Sequence, residues 1–226
     1  MTSTTIASDL KDTDTTYPCS GVILAGGLSR RFDGLDKALI RINGRRIIDR
    51  LLDSFSGLFD ELILVTNAPE KYLEWDIQIV TDLYPVRSSL TGIHAALTYA
   101  SHAHVFVSAC DTPFVQREII RTLLDAVKPH IDVVIPETSA GYEPLCAVYS
   151  KKCLQSIERN LVRGNYKIQN VFKKLQQKPI KEEALRRLDP ELMSFYNINF
   201  PEDLARAEAL IAEKGPVLST TNRIGP

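Results

Sequence analysis

The sequence predicts an α/β chain built on an open, doubly wound, mostly parallel sheet with helices on both faces. Short apolar runs of strand length alternate with stretches of helical period through the first 135 residues, the pattern of parallel βαβ units. Gly26, Gly27, Asn67, Asp82 and Asp111 all fall at the carboxyl ends of those runs, where open α/β sheets bind their ligands. No stretch is rich enough in Pro, Gly or Ser to divide the chain, and no internal repeat interrupts it.

The elements follow in order. Residues 22–25 form a short buried strand that breaks at Gly26 and Gly27, where a backbone free to take positive φ can lie against a ligand. Asn43-Gly44 is a turn, and Ile47, Ile48, Leu51, Leu52, Phe55, Leu58 and Phe59 recur at helical spacing over 47–59. Residues 61–66 and 77–81 read as the second and third strands, ended by Asn67-Ala-Pro69 and by Asp82. Ser88 or Ser89 caps a helix running to about Ala100. A strand over 105–110 delivers Asp111-Thr-Pro-Phe114, and a helix over 116–127 leads to a strand at 132–135.

The second half changes character, with a strand expected at 143–149 and helices at 153–161 and 168–175. Residues 178–182 and 195–198 read as strands, the latter setting Asn197 and Asn199 on one face. A helix over 201–213 begins with Pro201 followed by Glu202 and Asp203, as the helix dipole favours. One domain is expected over 19–213, its nucleotide half about 19–136 and its acceptor half about 137–213. Residues 1–18, rich in Thr, Ser and Asp, read as a disordered lead-in, and 214–226 as a flexible tail.

A net charge of −1 leaves no global basic field for nucleic acid or an anionic membrane surface, so any anion binding is local. No apolar run approaches the roughly 18 residues of a membrane span, and no signal peptide is evident. The chain is therefore expected to be cytoplasmic. Cys19, Cys110, Cys146 and Cys153 form neither a C-x-x-C nor a zinc spacing, which fits reduced thiols. His102 and His104 stand without other ligand-type residues beside them.

The chemistry concentrates in residues 21–37, GVILAGGLSRRFDGLDK. A strand ending in paired glycines and then delivering Arg30, Arg31 and Lys37 is a phosphate cradle: backbone N–H groups receive anionic oxygens and side chains neutralise the remaining charge. It is neither a G-x-x-x-x-G-K-[ST] loop nor a G-x-G-x-x-G loop.

Residues 21–37, 110–114 (CDTPF) and 197–204 (NINFPEDL) together resemble the molybdenum cofactor guanylyltransferase family, over about residues 21–212. The resemblance implies a Rossmann-like nucleotidyltransferase fold and a reaction in which GTP and the phosphate of molybdenum-loaded molybdopterin yield the guanine dinucleotide cofactor and pyrophosphate. It places Leu24, Ala25, Gly26 and Gly27 against guanine and phosphates, Lys37 on the phosphates, Asn67 and Asp82 on the nucleoside, and Asp111 on Mg²⁺. Arg31 joins Lys37 in offsetting charge on the bridging and leaving oxygens. The acceptor phosphate brings its own nucleophilic oxygen, so no general base is nominated. One of Asn197 and Asn199 could reach the metal or the pterin side.

Plainer roles are open to these residues. Asp111 could initiate a turn or cap the next helix, and Asp82 could be a strand-end turn residue. The chain also departs from the family, with Ser88-Ser89-Leu-Thr-Gly92 where Gly-Pro-Leu-x-Gly is usual and an extra cation at Arg87. Related cytidylyltransferases tend to carry Leu-Ala-Ala-Gly at the loop, so Leu24-Ala-Gly-Gly27 favours GTP. A cytidylyltransferase, another transferase acting on a sugar or alcohol phosphate, and a non-catalytic cofactor-binding adaptor remain as alternatives. The chemistry of a labile cofactor implies handover partners: molybdoenzymes, their chaperones or molybdopterin-synthesis proteins.

Overall fold

In the computed structural model, residues 16–26 and 35–213 are described. The expected lead-in up to residue 15 and the tail from residue 214 lie outside the described residues, as does the loop segment 27–34. The chain runs through β1 (Ser20–Leu24), a small antiparallel ribbon of β2 (Arg41–Ile42) and β3 (Arg45–Arg46), α1 (Ile47–Phe55), β4 (Leu62–Val65) and β5 (Gln78–Val80). It continues through α2 (Ser89–Tyr99), β6 (His104–Ala109), α3 (Arg117–Asp125), β7 (Val133–Thr138), β8 (Gly141–Tyr142) and β9 (Cys146–Ser150). The last elements are α4 (Leu154–Val162), α5 (Ile168–Phe172), β10 (Gln177–Lys181), α6 (Glu182–Arg186) and α7 (Pro201–Glu213).

The main sheet has the order β10-β7-β9-β6-β1-β4-β5, with β8 added beside β7. Pairs β6–β1, β1–β4, β4–β5 and β7–β10 are parallel, whereas β9 runs antiparallel to both β6 and β7. Side chains of a strand alternate between faces. Val22 and Leu24 therefore enter a core with α2, α4 and α5, while Ile23 enters a second core with α1, α3 and α6. Burial of both faces explains why β1, β4 and β6 read as continuous apolar runs rather than alternating ones.

Two expectations are corrected. The first helix ends at Phe55, because Gly57 takes φ +67° and turns the chain; Leu58 and Phe59 stay buried beyond it. Residues 195–198 are not a strand. Leu192 adopts φ +54°, and the Asp189 carboxylate accepts from Met193 N at 3.0 Å and Ser194 N at 2.7 Å. The chain winds into a single 3-10 turn over Met193–Phe195 and then passes across the sheet end without a ladder. Asn197 and Asn199 consequently lose the shared strand face. Asn197 turns its amide back to Phe195 O at 3.1 Å.

Cys19, Cys110, Cys146 and Cys153 are buried and unpaired, and burial pushes the Cys19 thiol up to about 12. No helix among the described residues is long and apolar enough to cross a membrane.

Gly21 allows one close approach. A Cβ there would stand 2.5 Å from Phe59 Cδ2 and 2.9 Å from Leu62 Cδ2. The Phe59 ring is itself held by Phe55 and Phe106, with ring centroids 5.3 and 5.9 Å away. Gly21→Ala is therefore expected to destabilise the chain by about 1–3 kcal/mol through overpacking. Urea unfolding checks this as a lower midpoint at unchanged slope.

Candidate active site

The carboxyl edge of β1 is where the backbone leaves the sheet. Ala25 N still donates to Val65 O at 2.9 Å, and Leu24 O accepts from Cys110 N at 3.2 Å. Ala25 is buried and its carbonyl accepts from the Thr66 hydroxyl at 3.4 Å. Its side chain packs into the core rather than toward ligand space. Gly26 is the next residue and opens onto a cleft of about 190 Å³ at the carboxyl ends of the strands.

Leu24, Gly26, Asn67, Asp82 and Asp111 meet around this cleft although they come from four strand ends. Thr66 positions Asn67: its N–H extends the ladder to Val80 O at 2.9 Å, and its hydroxyl accepts from Ala68 N at 3.2 Å. Asn67 Nδ2 then donates to Asp82 Oδ2 at 2.8 Å, so the two polar residues form one unit on the wall. On the facing wall, α2 begins at Ser88, whose hydroxyl accepts from Thr91 N at 3.2 Å while Thr91 Oγ1 accepts from Ser88 N at 3.1 Å. This reciprocal cap presents Ser88 and Ser89 to the cleft. Gly92 lets the helix close on Leu24, since a Cβ there would already lie 3.3 Å from Leu24 Cδ2.

Asp111 stands at the end of β6. It does not cap α3, whose N-cap is Gln116. Its Oδ1 is buried and has no hydrogen-bond partner among the described residues. Burial raises its pKa, and the nearby Lys37 charge opposes that rise. An orphaned anionic oxygen in a cleft is a poor structural element and a good cation ligand.

Lys37 opens a short 3-10 turn (Lys37–Leu39) whose start is fixed by the Asp36 carboxylate accepting from Ala38 N at 3.3 Å. Its ammonium donates to Ile198 O at 2.9 Å and to Asn199 Oδ1 at 3.1 Å. Ile198 N in turn donates to Asp111 O at 2.8 Å. The segment expected to be a strand is thus a bridge between Lys37 and Asp111. Gly27, Arg30 and Arg31 lie outside the described residues.

Sequence reasoning missed Thr66, Ile198 as a backbone bridge, and Glu143, a partly buried carboxylate whose Oε1 accepts from Thr138 Oγ1 at 3.2 Å. Burial raises the Glu143 pKa; the Thr138 hydrogen bond works against that rise, and the Asp111 charge adds to it. Only strand direction could have exposed Glu143, since it precedes an apolar run without any motif.

Because its folded-state pKa is raised, Asp111 contributes stability below the unfolded carboxylate range and loses it as pH rises through the folded value. A neutral amide escapes that loss. Ligand-free Asp111→Asn is expected to melt at a higher temperature than wild type near about pH 8, with the gap narrowing toward about pH 4. A calorimetric scan giving a lower melting temperature at the higher pH would contradict a desolvated carboxylate with an orphaned oxygen.

Comparison with known proteins agrees with this geometry. Residues 21–180 match the model of the MobA-like NTP transferase domain. The chain is 49% identical over 192 residues to a molybdenum cofactor guanylyltransferase of Desulfosudis oleivorans, covering 85% of this chain and 95% of that one. It resembles the crystal structure of molybdopterin-guanine dinucleotide biosynthesis protein A from Archaeoglobus fulgidus at a TM-score of 0.77 and 31% identity, over 86% of this chain and 99% of that one. A 2-C-methyl-D-erythritol 4-phosphate cytidylyltransferase from Thermus thermophilus shares the fold at a TM-score of 0.63 and 18% identity, over 87% of this chain and 98% of that one.

Proposed function

The chain belongs to the MobA-like NTP transferase family, and we propose that it transfers GMP from GTP to the phosphate of molybdenum-molybdopterin, releasing pyrophosphate. The observation that carries this reading is the orphaned Asp111 Oδ1 at the strand-end cleft, with the Lys37 charge close enough to act on the carboxylate. A cofactor-binding adaptor has no use for such a carboxylate, which costs stability unless a cation is present.

The residues present fit Mg²⁺. Asp111 Oδ1 supplies a hard anionic oxygen without a competing donor, and Mg²⁺ takes one or two carboxylates beside phosphate oxygens and water. When bound, the ion polarises the α-phosphate and neutralises charge on the departing pyrophosphate.

The remaining work falls to the chain itself. Leu24, Val65 and Leu145 supply apolar walls for the base, and the Asn67–Asp82 unit offers the polar contacts that orient the nucleoside. Gly26 and Gly27 are assigned to the phosphates in this reading. Lys37 serves as a fixed ammonium for phosphate oxygens, its position set by Ile198 O and Asn199 Oδ1. Arg31 completes the set of phosphate-neutralising groups. The acceptor phosphate attacks with its own oxygen, so transfer depends on alignment and charge and not on proton removal.

In this reading residues 19–136 form the nucleotide half of one domain and 137–213 the acceptor half. The reaction takes place in the cytoplasm, and a molybdoenzyme, its chaperone or a molybdopterin-synthesis protein exchanges the cofactor with this chain.

Purified protein with Mg²⁺ and molybdopterin is expected to release pyrophosphate with GTP in preference to CTP, ATP and UTP. Asp111→Asn and Lys37→Met are each expected to lower kcat/KM by about a hundredfold or more. Preference for CTP would replace the product while keeping the chemistry. Absence of release with every nucleotide, despite tight GTP binding, would sink the transferase reading for this acceptor.

A further inference from the structure

We propose that the cavity at the outer ends of β1, β6 and β9 is a second ligand site, remote from the nucleotide cleft, for a small amphipathic anion: an apolar body carrying one carboxylate-like head. The proposal does not depend on the nucleotidyl-transfer reading.

The cavity lies where α3 stops covering the sheet. Cys19 precedes β1, His104 opens β6, and Ser150 closes β9 directly opposite His104. His104 stands two residues from Phe106 and so shares its face of the sheet, the one that packs against α3. The helix ends at Asp125, and Val127 N turns back to Leu124 O at 3.1 Å. Between the three strand ends and this last turn lies a space of about 500 Å³, within the roughly 300–1,000 Å³ usual for small-molecule sites. Leu124, Val127 and Pro129 line it from the helix side. Close-packed interiors leave few gaps larger than a water molecule, and this concavity exceeds the cleft of about 190 Å³ at the other end of the strands.

The polar groups around it are cationic or neutral, and they lack anionic partners. Lys152 Nζ donates to Pro129 O at 2.8 Å, and Lys151 Nζ donates to Ala100 O. Backbone carbonyls thus hold both ammonium groups in place, and each keeps two further donors. Lys128 adds a third cation to the lining. No carboxylate among the described residues pairs with any of the three, and the His104 ring has no hydrogen-bond partner there. Burial lowers the His104 pKa and the neighbouring Lys152 charge adds to that fall, so near neutral pH the ring is an uncharged donor beside an ammonium. Asp125, on the last turn of α3, is engaged by the Tyr17 hydroxyl at 2.9 Å.

Charge then decides the class of ligand. An apolar concavity rimmed by unpaired cations attracts the opposite sign. The carboxyl end of α3 contributes only about half a negative charge, which three lysines outweigh. An apolar body fits against Leu124, Val127 and Pro129, and an anionic head meets Lys152 and His104. Six residues of β6 separate this place from the Asp111 end, roughly 20 Å at about 3.3 Å per residue, so both sites can fill at once.

The test titrates octanoate, octylamine and octanol into the full-length protein by calorimetry, and maps octanoate by amide shifts in ¹H–¹⁵N spectra. Octanoate is expected to bind at least about tenfold more tightly than either neutral or cationic analogue. Its shifts should cluster at Ala103, His104 and Lys151 and spare Gly26, Asn67 and Asp111. Lys152→Glu, at an exposed position, is expected to weaken octanoate at least about tenfold. The same variant should hold its affinity for a non-hydrolysable GTP analogue within about twofold. Should Lys152→Glu fail to melt cooperatively, Lys152→Gln takes its place, with weakened octanoate binding expected again. Absence of octanoate binding, equal binding of octylamine, shifts centred on the cleft, or unaltered affinity in the Lys152 variant would each overturn the proposal. Loss of octanoate binding as protein concentration rises, together with a doubled sedimentation mass, would assign the cavity to a second copy and overturn it as well.

Discussion

Everything in this molecule depends on the burial of β1 on both of its faces. The five residues Ser20–Leu24 are all inaccessible and are hydrogen-bonded between β4 and β6. A buried backbone must have its N–H and C=O groups paired, and here the neighbouring parallel strands do this up to Ala25. Gly26 is therefore the first backbone the sheet does not consume, and the lack of a Cβ there leaves it open to ligand. The location of the site is a consequence of sheet hydrogen bonding, and the chemistry of the loop is added to it.

The two ends of this strand layer show what separates a carboxylate that the protein satisfies from one that it does not. At the amino edge, Glu61 is partly buried, and desolvation works against its ionisation. Hydrogen bonds from Ser20, from Ser101 and from the Ser101 backbone outweigh that, and its pKa falls. At the carboxyl edge, Asp111 meets the same desolvation, retains an unpartnered oxygen, and its pKa rises. Both edges present a buried acid, but only one is satisfied by the protein. The unsatisfied one is placed where a nucleotide and its cation would complete it, in the manner of sites that trade stability for function.

The legible part of the fold was the part governed by burial. Residues 22–25, 61–66 and 105–110 are apolar without alternation, and such runs become interior strands of a parallel sheet; they are β1, β4 and β6. Strand direction was not legible. Residues 146–150 are as thoroughly buried as β1, yet β9 runs the opposite way, because the short β7–β8 hairpin returns the chain antiparallel instead of crossing over a helix. The extended pattern at 195–198 misled for a different reason. Its apolar residues Phe195 and Ile198 are indeed buried, but Asp189 and the left-handed Leu192 turn the segment before it can pair. Strand-end position was enough to anticipate that Gly26, Asn67, Asp82 and Asp111 gather around one cleft, whereas the tertiary bridge from Lys37 to Asn199 leaves no trace in local pattern.

Ile198 illustrates how a residue without functional groups on its side chain can set the geometry of a charged site. Its side chain is fully buried in the core that carries α1 and α3, so its backbone has little freedom. That backbone donates to Asp111 O and accepts from the Lys37 ammonium. The two charged residues stand 74 positions apart in the chain by number, 37 to 111, and belong to separate elements, yet a single buried residue ties both. Electrostatic catalysis gains from groups held in place before charge develops, because no reorganisation is then required. Ile198 is accordingly a positioning residue. The segment after α6 is therefore tied physically to both Lys37 and Asp111, a link that the phosphate loop by itself does not reveal.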